Sequence, residues 1–210
     1  MGKEIICKDI STANFMYKKY IDDHRNNVEK AFYLAFDFFN NYANKYGPAK
    51  KIFIKKILDA VHVHDMSKYY HDEFDAYRAR FYPTEAEVKD SNPDLIKANF
   101  KKAWEHHYRT NRHHPEYFVE FHSTIDTDPV ALMEMLCDWL GMSIPLSPDD
   151  PFKSLNEWFN ENKEEKFSMM GDHGKNIVES FMDFKPSEYA YSNYILGLQT
   201  VIYWSNNYIL

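Results

Sequence analysis

Glycine is scarce in this chain, six residues in 210, and nowhere do apolar and polar residues alternate for more than a few positions. A β-sandwich or barrel, which needs many short strands and frequent turns, is excluded by that pattern. No apolar run reaches the roughly 18 residues of a membrane span; the stretch FYLAFDFF is interrupted by Asp37. Only two cysteines occur, Cys7 and Cys137, far apart and in no recognisable spacing. A disulfide framework is therefore not expected, and no secretory leader is recognised. An excess of basic charge is also missing: 25 Lys and Arg face 32 Asp and Glu, a net charge of −7. Gripping a nucleic-acid duplex by bulk charge is excluded. The expectation is a soluble, cytoplasmic protein, in which a small anionic substrate would need local help from a metal or a few placed cations.

What the chain has in quantity is helical periodicity, aromatic residues and histidine. The spacing predicts an all-α chain organised as one domain over residues 1–210, with a core over 1–144 and a helical portion over 145–210 packed on it. A first long helix is predicted from Ser11 or Asn14 to Ala43, closing at Tyr46-Gly47-Pro48, where a glycine cap precedes a proline. A second starts at Pro48 and a shorter one covers Glu73 to Phe81. Three more begin at prolines, Pro93, Pro115 and Pro129, the last stopping at Gly141. The segment IPLSPDDP connects to a C-terminal portion ending in ILGLQTVIYW, whose aromatic helix packs on the bundle or pairs with a second copy.

Eight of the ten histidines fall between His62 and His122. Several lie on apolar stripes. Ile21, His24, Val28, Ala31, Ala35, Phe38 and Tyr42 follow at alternating spacings of 3 and 4, which puts His24 on the inward face. His64 continues the stripe Ile54, Ile57, Val61, and Asp65 continues its neighbour. His107 aligns with Ile96, Phe100 and Ala103, whereas His106 falls on a more polar side. Asp138 shares a stripe with Ala131, Met135 and Met142. Each such group alone reads as a hydrogen-bonded core residue. Together they suggest a divalent cation, because buried carboxylates need a partner and neutral imidazoles with carboxylates bind one.

The order of a lone His, an adjacent His-Asp and a distant Asp, here His24, His64-Asp65 and Asp138, resembles the HD-domain superfamily of metal-dependent phosphohydrolases. The string HDMSK resembles the HD-apolar-small-Lys form found in many members, including the branch that degrades cyclic dinucleotides. HDMSKYYHDEF with NRHHPEY and MLCDW also resembles a small HD-like family of bacterial and phage proteins with no assigned substrate, over roughly Ile21 to Leu140. The resemblance implies an HD-like helical bundle with a central metal held by His24, His64, Asp65 and Asp138. Members with two metals add histidines between the HD pair and the last Asp, for which His107, His113 and His114 stand in WEHHYRTNRHHPEY. A GYP signature is absent, which departs from the cyclic-dinucleotide branch.

Such a site would hold one or two transition-metal ions, Mn, Fe, Co, Ni or Zn rather than Mg, given the imidazole-rich donor set. The expected activity is hydrolysis of a phosphomonoester or phosphodiester, with a nucleotide or similar small phosphate as substrate. Asp65 has the central role, Lys68 is the candidate phosphate contact, and Arg109 and Arg112 are further ones. Glu73 is a candidate for a supporting or proton-shuttling role, or simply a helix-start acid beside Asp72. Two other readings stay open: a di-iron oxygenase on the same scaffold, and a non-catalytic binding protein with a structural metal.

Overall fold

The computed structural model describes residues 5–90 and 92–195. The chain is all-α: among the described residues the only β pairing is an isolated bridge between Cys7 and Thr84. The helices are α1 Ile10–Leu34, α2 Phe36–Tyr42, α3 Lys50–Val63, α4 His71–Phe81, α5 Glu85–Asp90, α6 Pro93–Thr110, α7 Pro115–Glu120, α8 Pro129–Ser143, α9 Pro151–Ser168, α10 Asp172–Met182 and α11 Glu188–Ile195. Short 3-10 turns cover Ala43–Ala49, Met66–Tyr69 and Ile125–Thr127. Residues 196–204, the end of the predicted C-terminal helix, lie outside the described residues.

Side-chain caps set several of the starts. The Asp9 carboxylate accepts from the Thr12 amide, and Asn92 accepts from Asp94 ahead of Pro93. Asp128 accepts from Val130 and Ala131, with Pro129 at the first helical position where no amide hydrogen is needed.

Contacts divide the chain into two compact units, neither continuous in sequence. The first comprises Met1–His24 and Asp65–Arg112, the second Arg25–His64 and His113–Leu210. In the first unit α4 packs on α6 around Tyr17, Ile21, Phe74, Tyr77 and Ala103, with Phe100 and Trp104 against them. Its N-terminal segment is tied down by backbone bonds from Ile5 to Phe81 and from Cys7 to Pro83.

In the second unit α3 packs on α8, and α8 on α9. Helix α8 buries residues all round its circumference, among them Leu132, Met133, Met135, Leu136, Cys137 and Leu140. A helix apolar on every side belongs in the middle of a core. Its only carboxylates, Glu134 and Asp138, lie one turn apart and so share a face.

Three boundaries differ from the sequence reading. The first helix breaks at Ala35 instead of running to Ala43. Phe32, Leu34, Phe36 and Phe39 are all buried. On one straight helix Leu34 and Phe36 would project to nearly opposite sides; restarting at Phe36 lets both enter the core. Pro48 lies inside the 3-10 turn before α3, with Gly47 at φ 52°, so the second helix begins at Lys50. Helix α8 runs through Gly141 to Ser143. A Cβ on Gly141 would lie 2.9 Å from backbone atoms of Val28, so this glycine serves close packing and does not end the helix.

Candidate metal centre

The His64-Asp65 pair sits where α3 ends. His64 has left the helix at φ −49°, ψ 131°, and Asp65 is left-handed at φ 55°, ψ 20°. Only glycine, asparagine and aspartate visit that region with any ease. The orientation of the pair therefore comes from a tight turn and not from continuation of the α3 stripe. Arg25 fastens the approach to the turn, donating from Nε to the His64 carbonyl at 2.9 Å and from its terminal nitrogen to that of His62 at 2.6 Å.

In the first unit the carboxylate of Asp65, 1% exposed, has a histidine beside each oxygen. His24 Nε2 lies 3.4 Å from Oδ2 and His107 Nε2 lies 3.3 Å from Oδ1. Lys68 Nζ donates to Oδ2 at 2.5 Å. Burial alone would push the Lys68 ammonium toward neutrality, and Asp65 together with Tyr20, Tyr17 and Tyr77 outweighs it and raises its pKa. On its far side His107 Nδ1 meets Glu73 Oε2 at 2.7 Å, while the other Glu73 oxygen meets His106 Nδ1 at 2.9 Å. Glu73 is fully buried. Burial opposes its charge, but the bonds from His107, Ser67 and His106 hold the carboxyl below its usual range. Asn111 completes the support, donating to Ser67 Oγ at 2.7 Å and to the His107 carbonyl at 2.8 Å.

The second unit repeats the device. Glu134 Oε1 on α8 lies 3.0 Å from His64 Nδ1 and 3.1 Å from His113 Nδ1. Its carboxyl is held below the usual range by these two histidines, against the effect of burial. His64 Nε2 faces Asp138 Oδ1 at 3.5 Å. Ligand atoms of His64, His113 and Asp138 all lie within 4.8 Å of one another.

This geometry has a chemical consequence. When Nδ1–H donates to Glu73 or Glu134, a neutral imidazole turns the lone pair of Nε2 toward the carboxylate of Asp65 or Asp138. Two acceptors then face each other at 3.3 to 3.5 Å, an arrangement completed either by a proton or by a cation. For His107, burial works against a proton and the Asp65 charge works for it, with a raised pKa as the net result. Outer-side carboxylates on histidine Nδ1 are the usual support of metal-bound imidazoles. The donor set fits a divalent transition metal.

The structure brings His24, Asp65, Lys68, Glu73 and His107 together in one unit, and His64, His113 and Asp138 together in the other. His114 precedes Pro115, with its ring 4.2 Å from that of His113. Arg109 and Arg112 are exposed, Arg109 standing over the Tyr108 ring. Glu73 makes no cap; it is a buried bridge between two imidazoles. Lys68 is no solvated surface lysine, its side chain being 12% exposed. Sequence reasoning missed Glu134, although a carboxylate one turn before Asp138 on an otherwise apolar helix was the available signal. It also missed Arg25, Ser67 and Asn111, whose roles depend on turns that no periodicity reports.

A family model described as "Family of unknown function (DUF5662)" matches residues 13–184. The chain belongs to that family, all-α in fold and with buried His and Asp groups at metal-binding distance. No curated protein and no solved structure matches it.

Proposed function

We propose that this protein is a metal-dependent phosphohydrolase of the HD type, acting on a small phosphate ester such as a nucleotide. The observation that carries the reading is the buried Asp65 carboxylate. One imidazole Nε2 stands beside each of its oxygens, a lysine lies on it, and a comparable His64, His113, Asp138 group occurs in the second unit. A transition metal bound by these residues would lower the pKa of a coordinated water and neutralise charge on phosphoryl oxygens.

The chain's own residues supply the rest. Glu73 and Glu134 fix which nitrogen of each histidine carries the proton and which is offered as ligand. Lys68, kept charged by Asp65, is the cation for a phosphoryl oxygen. Burial around Asp65 and His107 keeps bulk water away and strengthens each of these interactions. In the hydrolysis itself the oxygen of water bonds to phosphorus, the bond from phosphorus to the leaving oxygen breaks, and a proton from the water passes to that oxygen.

The test is elemental analysis of protein purified without added metal, followed by a panel of phosphate esters. The expected result is near-stoichiometric Mn, Fe, Co, Ni or Zn, with phosphate release abolished by a chelator. Asp65→Ala or His64→Ala protein with full metal content and full turnover would sink the reading. Metal-dependent oxygen consumption without phosphate release would point to the oxygenase alternative instead.

A further inference from the structure

Next to Lys68 the first unit buries two phenols. Tyr17 is 1% exposed and Tyr77 6%, and the hydroxyl of each is inaccessible to solvent with no hydrogen-bond partner among the described residues. Their rings stack at 6.5 Å and 15°. Lys68 Nζ lies 5.7 Å from the Tyr77 ring centroid, and the charges of Lys68 and Asp65 are felt at both hydroxyls. A phenol, with an ordinary pKa of about 10, keeps its proton at neutral pH, so each is a donor.

A buried hydroxyl that bonds to nothing is costly, and phenylalanine would fill either place without that cost. Two of them beside one buried ammonium need an explanation outside core packing. The Lys68 ammonium has three N–H donors, one directed at Asp65. The Lys68 ammonium stands over the Tyr77 ring and the Tyr17 ring stacks on that ring, so two phenols and the remaining ammonium hydrogens are donors in one buried cluster, with Asp65 as the adjacent carboxylate. Donors concentrated in one buried place are complementary to an oxyanion.

We propose that Tyr17 and Tyr77, with Lys68, form the cradle for the terminal phosphoryl group of a phosphomonoester. This rests on the phosphohydrolase reading and narrows it. A diester phosphorus carries only two non-bridging oxygens, and a bound metal would take at least one of them. A monoester carries three and a second negative charge, so it gives the phenols and the ammonium acceptors of their own. Tyr17 and Tyr77 are therefore specificity residues, selecting the dianionic monoester over the diester.

The test uses full-length, metal-loaded protein as wild type, Tyr17→Phe, Tyr77→Phe and the double variant. Binding of orthophosphate and of dimethyl phosphate is measured by calorimetry, and the melting temperature of each ligand-free protein is recorded. Wild type should bind orthophosphate in clear preference to dimethyl phosphate. Each single variant should weaken orthophosphate binding by about 10- to 100-fold, the worth of one hydrogen bond to a charged group, with ligand-free melting unchanged or raised. Variants that bind orthophosphate like wild type overturn the cradle, and a lowered melting temperature beside unchanged binding assigns the hydroxyls to the core. The readings separate cleanly: if wild type hydrolyses monoesters while the variants bind phosphate normally, only the cradle fails. Wild type that holds metal and binds no phosphate overturns both.

Discussion

Glu134 lies against the outer nitrogens of two histidines at once, hydrogen-bonded to that of His64 and 3.1 Å from that of His113, so replacing it acts on both. Glu134→Gln keeps the shape but can accept with only one oxygen and no charge. Metal affinity should fall by about 10- to 100-fold, the usual effect of losing an outer partner of a metal-bound histidine. Titration with a competing chelator reads this directly, and an unchanged affinity would remove Glu134 from the site. His24 and His107 were legible in the sequence because each lies on an apolar stripe of a regular helix, and both are buried. The aim of His64 and Asp65 was not. Helical periodicity stops at Val63, and the left-handed turn at Asp65, which no periodicity reports, sets where the two side chains point. Glu134 was overlooked for the opposite reason: an acid inside a strongly apolar helix reads as an exception to its stripe until its two imidazole partners are known.

Among the elements, α8 is the one that makes the second unit's site possible, since it carries both Glu134 and Asp138 through a core. Its position depends on Gly141, where backbone of Val28 lies within 2.9 Å of a built Cβ. Gly141→Ala would gain helix propensity yet force α8 away from that contact. Backbone cannot give way as a flexible side chain can, so the overpacking cost of about 1–3 kcal/mol outweighs the gain. A lower urea midpoint at unchanged slope is the expected readout; a midpoint at or above wild type would show that the helix relaxes freely. Helix identity was legible almost throughout, because proline starts and side-chain caps are local chemistry. The break at Ala35 and the passage through Gly141 were not, because each is decided by which partner lies alongside.

On the scale of the whole molecule, each unit is assembled from two separate stretches, joined by the peptide bonds after His24, His64 and Arg112. No single cut leaves both units whole. A fragment of residues 1–112 keeps all of the first unit but leaves Ile54, Ile57, Leu58 and Val61 of α3, buried in the intact chain, without α8. Circular dichroism should find it poorly folded or aggregated, with the same expected of residues 113–210; a cooperative melt from either would show that the units fold from continuous halves.

Acid should unfold the intact protein through its buried and clamped carboxylates. Glu87 accepts both terminal nitrogens of Arg78, at 2.5 and 2.7 Å, and the Thr84 amide, and its carboxyl is held down to about 2, the Arg78 bond being the largest cause. Asp126 accepts from the amides of Gly171 and Gly174 at the start of α10, and these bonds outweigh burial to keep its carboxyl low. A carboxyl with a depressed folded-state pKa binds its proton more weakly than in the unfolded chain. Its contribution is therefore complete above the unfolded value, about 4.3 for glutamate, and is lost as pH falls toward the folded value. For Glu87 the window runs from there down to about 2. Through these carboxylates melting temperature should fall steeply below pH 5. Glu87→Gln, which keeps one acceptor but no charge, should melt lower than wild type at pH 7 and lose less on acidification, so that the two curves converge near pH 2. Parallel curves across that range would mean that the Arg78 pair contributes nothing to folding.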